Sequence, residues 1–61
     1  MKVYILVKDE LNYETQYVEG TSIIKVYGNE KDAKKSEEEL NMDNQHPQIY
    51  RYRTEVHTVF Q

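Results

Sequence analysis

Hydrophobic and polar residues alternate along three segments of the chain, which predicts three β-strands. The first predicted strand runs from Lys2 to Lys8 and is apolar on both of its faces. Its apolar side chains are Val3, Ile5 and Val7 on one face, and Tyr4 and Leu6 on the other. A strand with two apolar faces is typical of the centre of a sheet that is covered on both sides.

The second and third predicted strands differ in how regularly their residues alternate. Asp9 to Gln16 is polar and predicts a loop, after which the second strand begins at Tyr17 or Val18. Gly20 predicts a bulge or bend, and the strand continues from Thr21 to Tyr27. Alternation predicts Ile24 and Val26 on one face, and Ile23, Lys25 and Tyr27 on the other. The third strand, Tyr50 to Phe60, alternates aromatic or β-branched residues with a mostly charged face.

A helix is predicted between the second and third strands, from Glu30 to about Asn41. Asn29 is a favourable N-cap, and Asp32 three residues later forms a variant of the capping box. The apolar stripe is thin and consists of Ala33, Ser36 and Leu40, with Met42 near its end. Because such a helix is not stable alone, we expect it to pack on the sheet. Pro47, in the connector from Asp43 to Pro47, prevents the helix from continuing.

The ββαβ order predicts an α+β fold in a single domain, residues 1–61. We expect a three-stranded antiparallel sheet in the order 2-1-3, with the most apolar strand in the centre and the helix packed on one face. One helix covers only one sheet face. We therefore expect Leu6, Ile23 and several tyrosines to remain partly uncovered.

Length and composition limit the class of protein. A chain of 61 residues allows one domain whose stability is on the order of 3–5 kcal/mol. The absence of cysteine excludes disulfides and thiolate metal sites and is compatible with a reducing compartment. The apolar run from Val3 to Val7 is too short for a signal peptide or a membrane span. With Met1 at its start, the chain is interpreted as a complete, cytoplasmic gene product.

No residue pattern in the chain indicates catalysis. His46 and His57 have no second ligand at metal-binding spacing. The two glycines are isolated, and no serine accompanies a histidine and an acid in the sequence. We therefore predict a protein that is not an enzyme and that holds no cofactor or metal.

Two features indicate a protein-binding role. Acidic residues crowd the predicted helix; they form either a solvated face or a patch that docks on a basic partner. Tyrosines are abundant: packing on the sheet explains about four of the six, and an uncovered tyrosine-rich patch is typical of an interface. The predicted partner-binding residues are Asp32, Glu37, Glu38, Glu39, Tyr50 and Tyr52.

Four segments together resemble a known class of small proteins: Met1 to Val7, Ile23 to Tyr27, Asn29 to Ala33 and the tyrosine-rich third strand. They are similar to the small ββαβ proteins that bacteriophages and prophages of Gram-positive bacteria encode. That class shares no catalytic residues. The resemblance implies a protein that binds and blocks a host protein, such as a CRISPR nuclease or another defence enzyme.

Two alternative functions remain open from the sequence. One is a homo-oligomeric structural or assembly protein in which an edge strand pairs across a two-fold axis. The other is a weak binder of single-stranded nucleic acid that uses Arg51, Arg53, Tyr50 and Tyr52. The net charge of −3 argues against the second alternative, since nucleic-acid-binding domains usually present a basic face.

Overall fold

The computed structural model describes residues 1–60. Its elements are β1 (Lys2–Leu11), β2 (Val18–Tyr27), α1 (Glu30–Asp43) and β3 (Tyr50–Thr58). The three strands form one sheet in the order β2-β1-β3, and β1 pairs antiparallel with both neighbours. The predicted fold class and strand order are confirmed.

The first strand is longer than predicted, because β1 extends to Leu11 instead of ending at Lys8. Asp9 pairs with both neighbouring strands, and the Leu11 amide donates to the carbonyl of Ile49 at 2.6 Å. The prediction of a loop from Asp9 onwards was therefore wrong. The tight turn begins at Asn12, whose side-chain oxygen accepts hydrogen bonds from the amides of Glu14 and Thr15 at 2.9 and 3.0 Å.

Two bulges interrupt β2, and the second one overturns the predicted facing of its residues. The register with β1 skips Glu19 and Ile24, so each is an extra residue in β2. A bulge shifts the alternation of the residues that follow it by one position. Ile23 and Val26 therefore lie on the same face of the sheet, whereas simple alternation placed them on opposite faces. Lys25 lies on the other face, as the register opposite Leu6 shows.

The helix begins as predicted and ends slightly later. The Asn29 side-chain oxygen accepts from the Asp32 amide at 2.8 Å, and its Nδ2 donates to the Asp32 carboxylate at 2.8 Å. The helix continues to Asp43 and does not end near Asn41. Ala33 is buried, while Met42 is exposed and does not belong to the apolar stripe.

One face of the sheet packs against α1, and we call it the helix face. The hydroxyls of Tyr27 and Ser36 lie 2.7 Å apart, which fixes the side of β2 that meets the helix. Tyr27 pairs with Tyr4, and Lys25 pairs with Leu6, so these residues share the helix face. Leu6 is only 1% exposed. The expectation that Leu6 is partly uncovered was wrong, because the helix lies over this face.

The opposite side of the sheet is called the open face. The Cα positions of residues 1–60 span 42 × 22 × 12 Å; the short dimension fits one sheet and one helix layer, with no third layer. Even so, Val7, Asp9 and Leu11 on this face are buried. The direct neighbours of Val7 are Ile23 and Arg53, so residues of the same sheet cover the central strand.

Candidate functional site

The outer part of the open face carries a row of exposed apolar side chains on β2. Val18, Ile23 and Val26 are 48%, 66% and 52% exposed. Their cross-strand neighbours on β1 are Leu11, Val7 and Ile5. We call Val18, Ile23 and Val26 the apolar row. Thr21, opposite Asp9, lies on the same face within this row.

The bulges of β2 create the apolar row. In an unbroken strand, Ile23 and Val26 differ by an odd number of positions and point to opposite faces. The same holds for Val18 and Thr21. The extra residues Glu19 and Ile24 restore each pair to one face. In the sequence, Gly20 pointed to one bulge or bend, and no residue pointed to the second bulge at Ile24.

The other edge of the open face is charged and centres on a buried carboxylate. Asp9 is fully buried. It accepts hydrogen bonds from Arg53 Nε at 2.6 Å, Arg53 Nη2 at 3.3 Å and the Thr21 hydroxyl at 2.8 Å. Arg51 Nε lies 3.9 Å from the same carboxylate. Two arginines of β3 and one carboxylate of β1 therefore meet at Asp9 on this face.

The ion pairs continue along β3. Arg53 Nη1 donates to Glu55 at 2.7 Å, and Glu55 lies 3.4 Å from His57 Nε2. The hydrogen bond from Arg53 lowers the pKa of Asp9 despite the opposing effect of burial. The same guanidinium, followed by His57, lowers the pKa of Glu55. The two carboxylates in turn raise the pKa of Arg53, so Asp9, Arg53 and Glu55 are charged at neutral pH.

The four predicted acidic residues of the helix do not form one patch. Consecutive helical residues point about 100° apart, so Glu37, Glu38 and Glu39 face three directions. Glu37 is half-buried and lies 3.5 Å from Lys34 Nζ. Glu39 lines a cleft of about 320 Å³ between the helix and β2. The Asp32 carboxylate is occupied by the N-cap side chain.

Tyr50 and Tyr52 lie on the helix face and are half-buried. Their register opposite Glu10 and Lys8 places them there, and the Lys8 ammonium lies 4.0 Å from the centroid of the Tyr50 ring. Asn41 of the helix donates to the Tyr52 carbonyl at 3.2 Å. The helix that carries the predicted acidic residues therefore packs on the same sheet face as these two tyrosines.

The most exposed tyrosines belong to the β1–β2 turn. Tyr13 and Tyr17 are exposed, whereas the four tyrosines of the strands are half-buried. The expectation that sheet packing accounts for four of the six is confirmed. Sequence reasoning did not select Tyr13 and Tyr17, because it favoured the regular third strand.

The geometry also bears on the nucleic-acid alternative. Arg51 and Arg53 project from the open face and contact Asp9, while Tyr50 and Tyr52 lie on the opposite face. A single-strand binder places its cations and its stacking aromatics along one groove. The four residues do not share such a groove.

Among residues 1–60, the titratable side chains form no metal-binding cluster of three or more. The helix that the structure describes in this range is too short and too polar to cross a bilayer. A cleft of about 380 Å³ lies between the β1–β2 turn and the connector before β3. It is lined by Tyr13, Gln45, His46, Pro47, Gln48 and Ile49.

The fold and this surface define a small ββαβ protein with one helix-covered sheet face and one face that is apolar along β2 and charged along β3. Comparison of the chain with protein-family models, curated proteins and solved structures finds no match. The chemistry of the surface itself therefore indicates the function.

Proposed function

We propose that this chain is a non-enzymatic protein-binding module that docks through its open face. The observation that carries the proposal is the apolar row, whose three members are each about half or more exposed. Exposed apolar residues that are contiguous and bordered by polar ones are typical of protein interaction sites. The charged edge along β3 supplies that polar border.

The proposed partner is a host protein, and the finer proposal is a phage-type inhibitor of a nuclease or another defence enzyme. The resemblance of the chain to small phage-encoded ββαβ proteins supports this reading. The net charge of −3 also supports it, because enzymes that bind nucleic acid present basic surfaces that attract acidic proteins.

Capture from a bacterial lysate tests the surface. The bait is the wild-type chain, the double variant Ile23→Thr/Val26→Thr, or the control Met42→Gln. Threonine keeps the β-branched shape that strands favour, and Met42 is an exposed apolar residue on the helix. We expect one protein to be retained by the wild type and by Met42→Gln, and to be lost with the double variant.

The retained protein is then purified and titrated with each variant. Truncation of a residue that anchors an interface costs more than about 1 kcal/mol, so loss of two anchors should weaken binding by the double variant about 30-fold. Equal affinity of the wild type and the double variant contradicts docking through the open face. An unchanged enzymatic activity of the saturated partner contradicts the inhibitor proposal alone.

A further inference from the structure

The outer edge of β2 has features that go beyond the proposed function. Within residues 1–60, β2 pairs only with β1 and forms an edge of the sheet. Nine of its ten residues, Val18 to Val26, are exposed. A long edge strand of this kind offers unpaired amides and carbonyls to another strand.

The order of residues along β2 is symmetric about Ser22. Val18 and Val26 are each four positions from Ser22, and Thr21 and Ile23 are each one position away. All four lie on the open face. Each half of the strand also contains one residue that the register with β1 skips, Glu19 before Ser22 and Ile24 after it. The open-face positions of β2 therefore have the same spacing when the strand is read in either direction.

Charge follows the same symmetry. Glu19 and Lys25 are each three positions from Ser22. In an antiparallel pair centred on Ser22, Glu19 of each copy lies opposite Lys25 of the other, and such directly opposed charges attract. A shift of the register by one residue per strand removes both ion pairs.

We propose that β2 pairs antiparallel with β2 of a second copy of this chain, about a two-fold axis at Ser22. The axis is perpendicular to the sheet, since only this orientation reverses the strand and keeps the face. The two three-stranded sheets then form one six-stranded sheet. Both helices lie on one side, and both open faces lie on the other.

This arrangement changes the surface that the monomer presents. The two apolar rows meet at the centre of the combined open face, and the charged edges along β3 lie at its two outer borders. An apolar centre with a polar rim is the usual anatomy of a protein interface. The homodimer therefore presents a docking face that is symmetric and larger than that of one chain. Formation of the homodimer does not require a foreign partner.

Sedimentation velocity tests the pairing directly. A contact of one strand edge is small, so we expect dimerisation between about 5 and 1000 µM. Lys25→Glu opposes two pairs of like charges and should weaken the dimer about tenfold or more. The double variant Glu19→Lys/Lys25→Glu restores opposite charges across the axis and should recover it. Lys35→Glu, with the same change of charge at an exposed helix position, is the control and should have no such effect.

A wild-type chain that sediments as a monomer throughout this range overturns the inference. So does a dimer that responds alike to Lys25→Glu and Lys35→Glu, or one that the double variant does not restore. Circular dichroism verifies that each variant is folded before it is compared. A dimer with these properties that captures no protein through its apolar row contradicts the proposed function and leaves the homodimer intact.

Discussion

The contact between Arg53 and the buried Asp9 carboxylate gives the sharpest stability prediction. Arg53→Met removes two of the three hydrogen bonds that Asp9 accepts, those from Nε and Nη2. The hydrogen bond from the Thr21 hydroxyl remains. Arg51→Met is the matched control, because Arg51 lies on the same strand and face, but at 3.9 Å from Asp9.

The expected magnitudes follow from burial. The Asp9 side chain is 0% exposed, while those of Arg53 and Arg51 are 40% and 56% exposed. Loss of one partner from a buried ion pair costs about 3–5 kcal/mol. Since Arg53 is partly hydrated, we expect the lower end, about 3 kcal/mol. Arg51→Met removes a longer, exposed contact and should cost less than about 1 kcal/mol.

Urea denaturation followed by far-UV circular dichroism measures both losses. A loss of about 3 kcal/mol approaches the whole stability of a domain of this size. The variants are therefore compared with and without a stabilising osmolyte. Asp9→Leu/Arg53→Met should be more stable than Arg53→Met alone, because it leaves no buried charge unpaired. If Arg53→Met and Arg51→Met lower the free energy of unfolding by amounts that agree within about 0.5 kcal/mol, the buried ion pair with Arg53 does not dominate.

Three further predictions concern the same fold. Because the pKa of Asp9 is lowered in the folded state, the ionised carboxylate stabilises the fold fully above its unfolded pKa of about 3.9. This contribution is lost as the pH falls through the folded pKa. The urea midpoint of unfolding should therefore decrease below about pH 4, and it should decrease less steeply in Arg53→Met. The Thr54 hydroxyl is buried without a hydrogen-bond partner among residues 1–60, so Thr54→Val should raise the free energy of unfolding by about 1 kcal/mol. A free energy of unfolding below that of the wild type would contradict this prediction. Asn29→Ala should cost about 1 kcal/mol in the same assay, and Asn29→Asp, which retains the cap, should cost much less.

The fold was predictable because its strongest signals are local. The two apolar faces of β1 identified the central strand, and the Asn29 cap identified the start of the helix. The end of β1 was not predictable from local pattern. Asp9 belongs to a strand because Arg53, distant in the sequence, satisfies its charge. Acidic residues directly after an apolar run, here Asp9 and Glu10, otherwise indicate a loop.

The candidate surface was less predictable than the fold. Exposed apolar residues on β2 were expected, and Ile23 is one of them. Their common face depends on a bulge at Ile24, where the sequence has neither glycine nor proline as a signal. The placement of Tyr50 and Tyr52 depends on which side the helix covers, and that choice is made by contacts such as the one between Tyr27 and Ser36.

Docking on the apolar row of the open face and docking on the acidic residues of the helix differ in their dependence on salt. Arg53 of β3 is already paired with Asp9 of β1 and with Glu55 of its own strand, so a partner on the apolar row gains little from these charges. Binding there should have a negative heat-capacity change and an affinity that changes little between low and physiological salt. Docking through the acidic helix residues predicts the reverse, because exposed charges are screened by salt. Titration calorimetry with the captured partner at two salt concentrations separates the two docking modes. Docking on the open face is contradicted if the affinity falls steeply with salt and is lost on charge reversal of Glu37, Glu38 and Glu39.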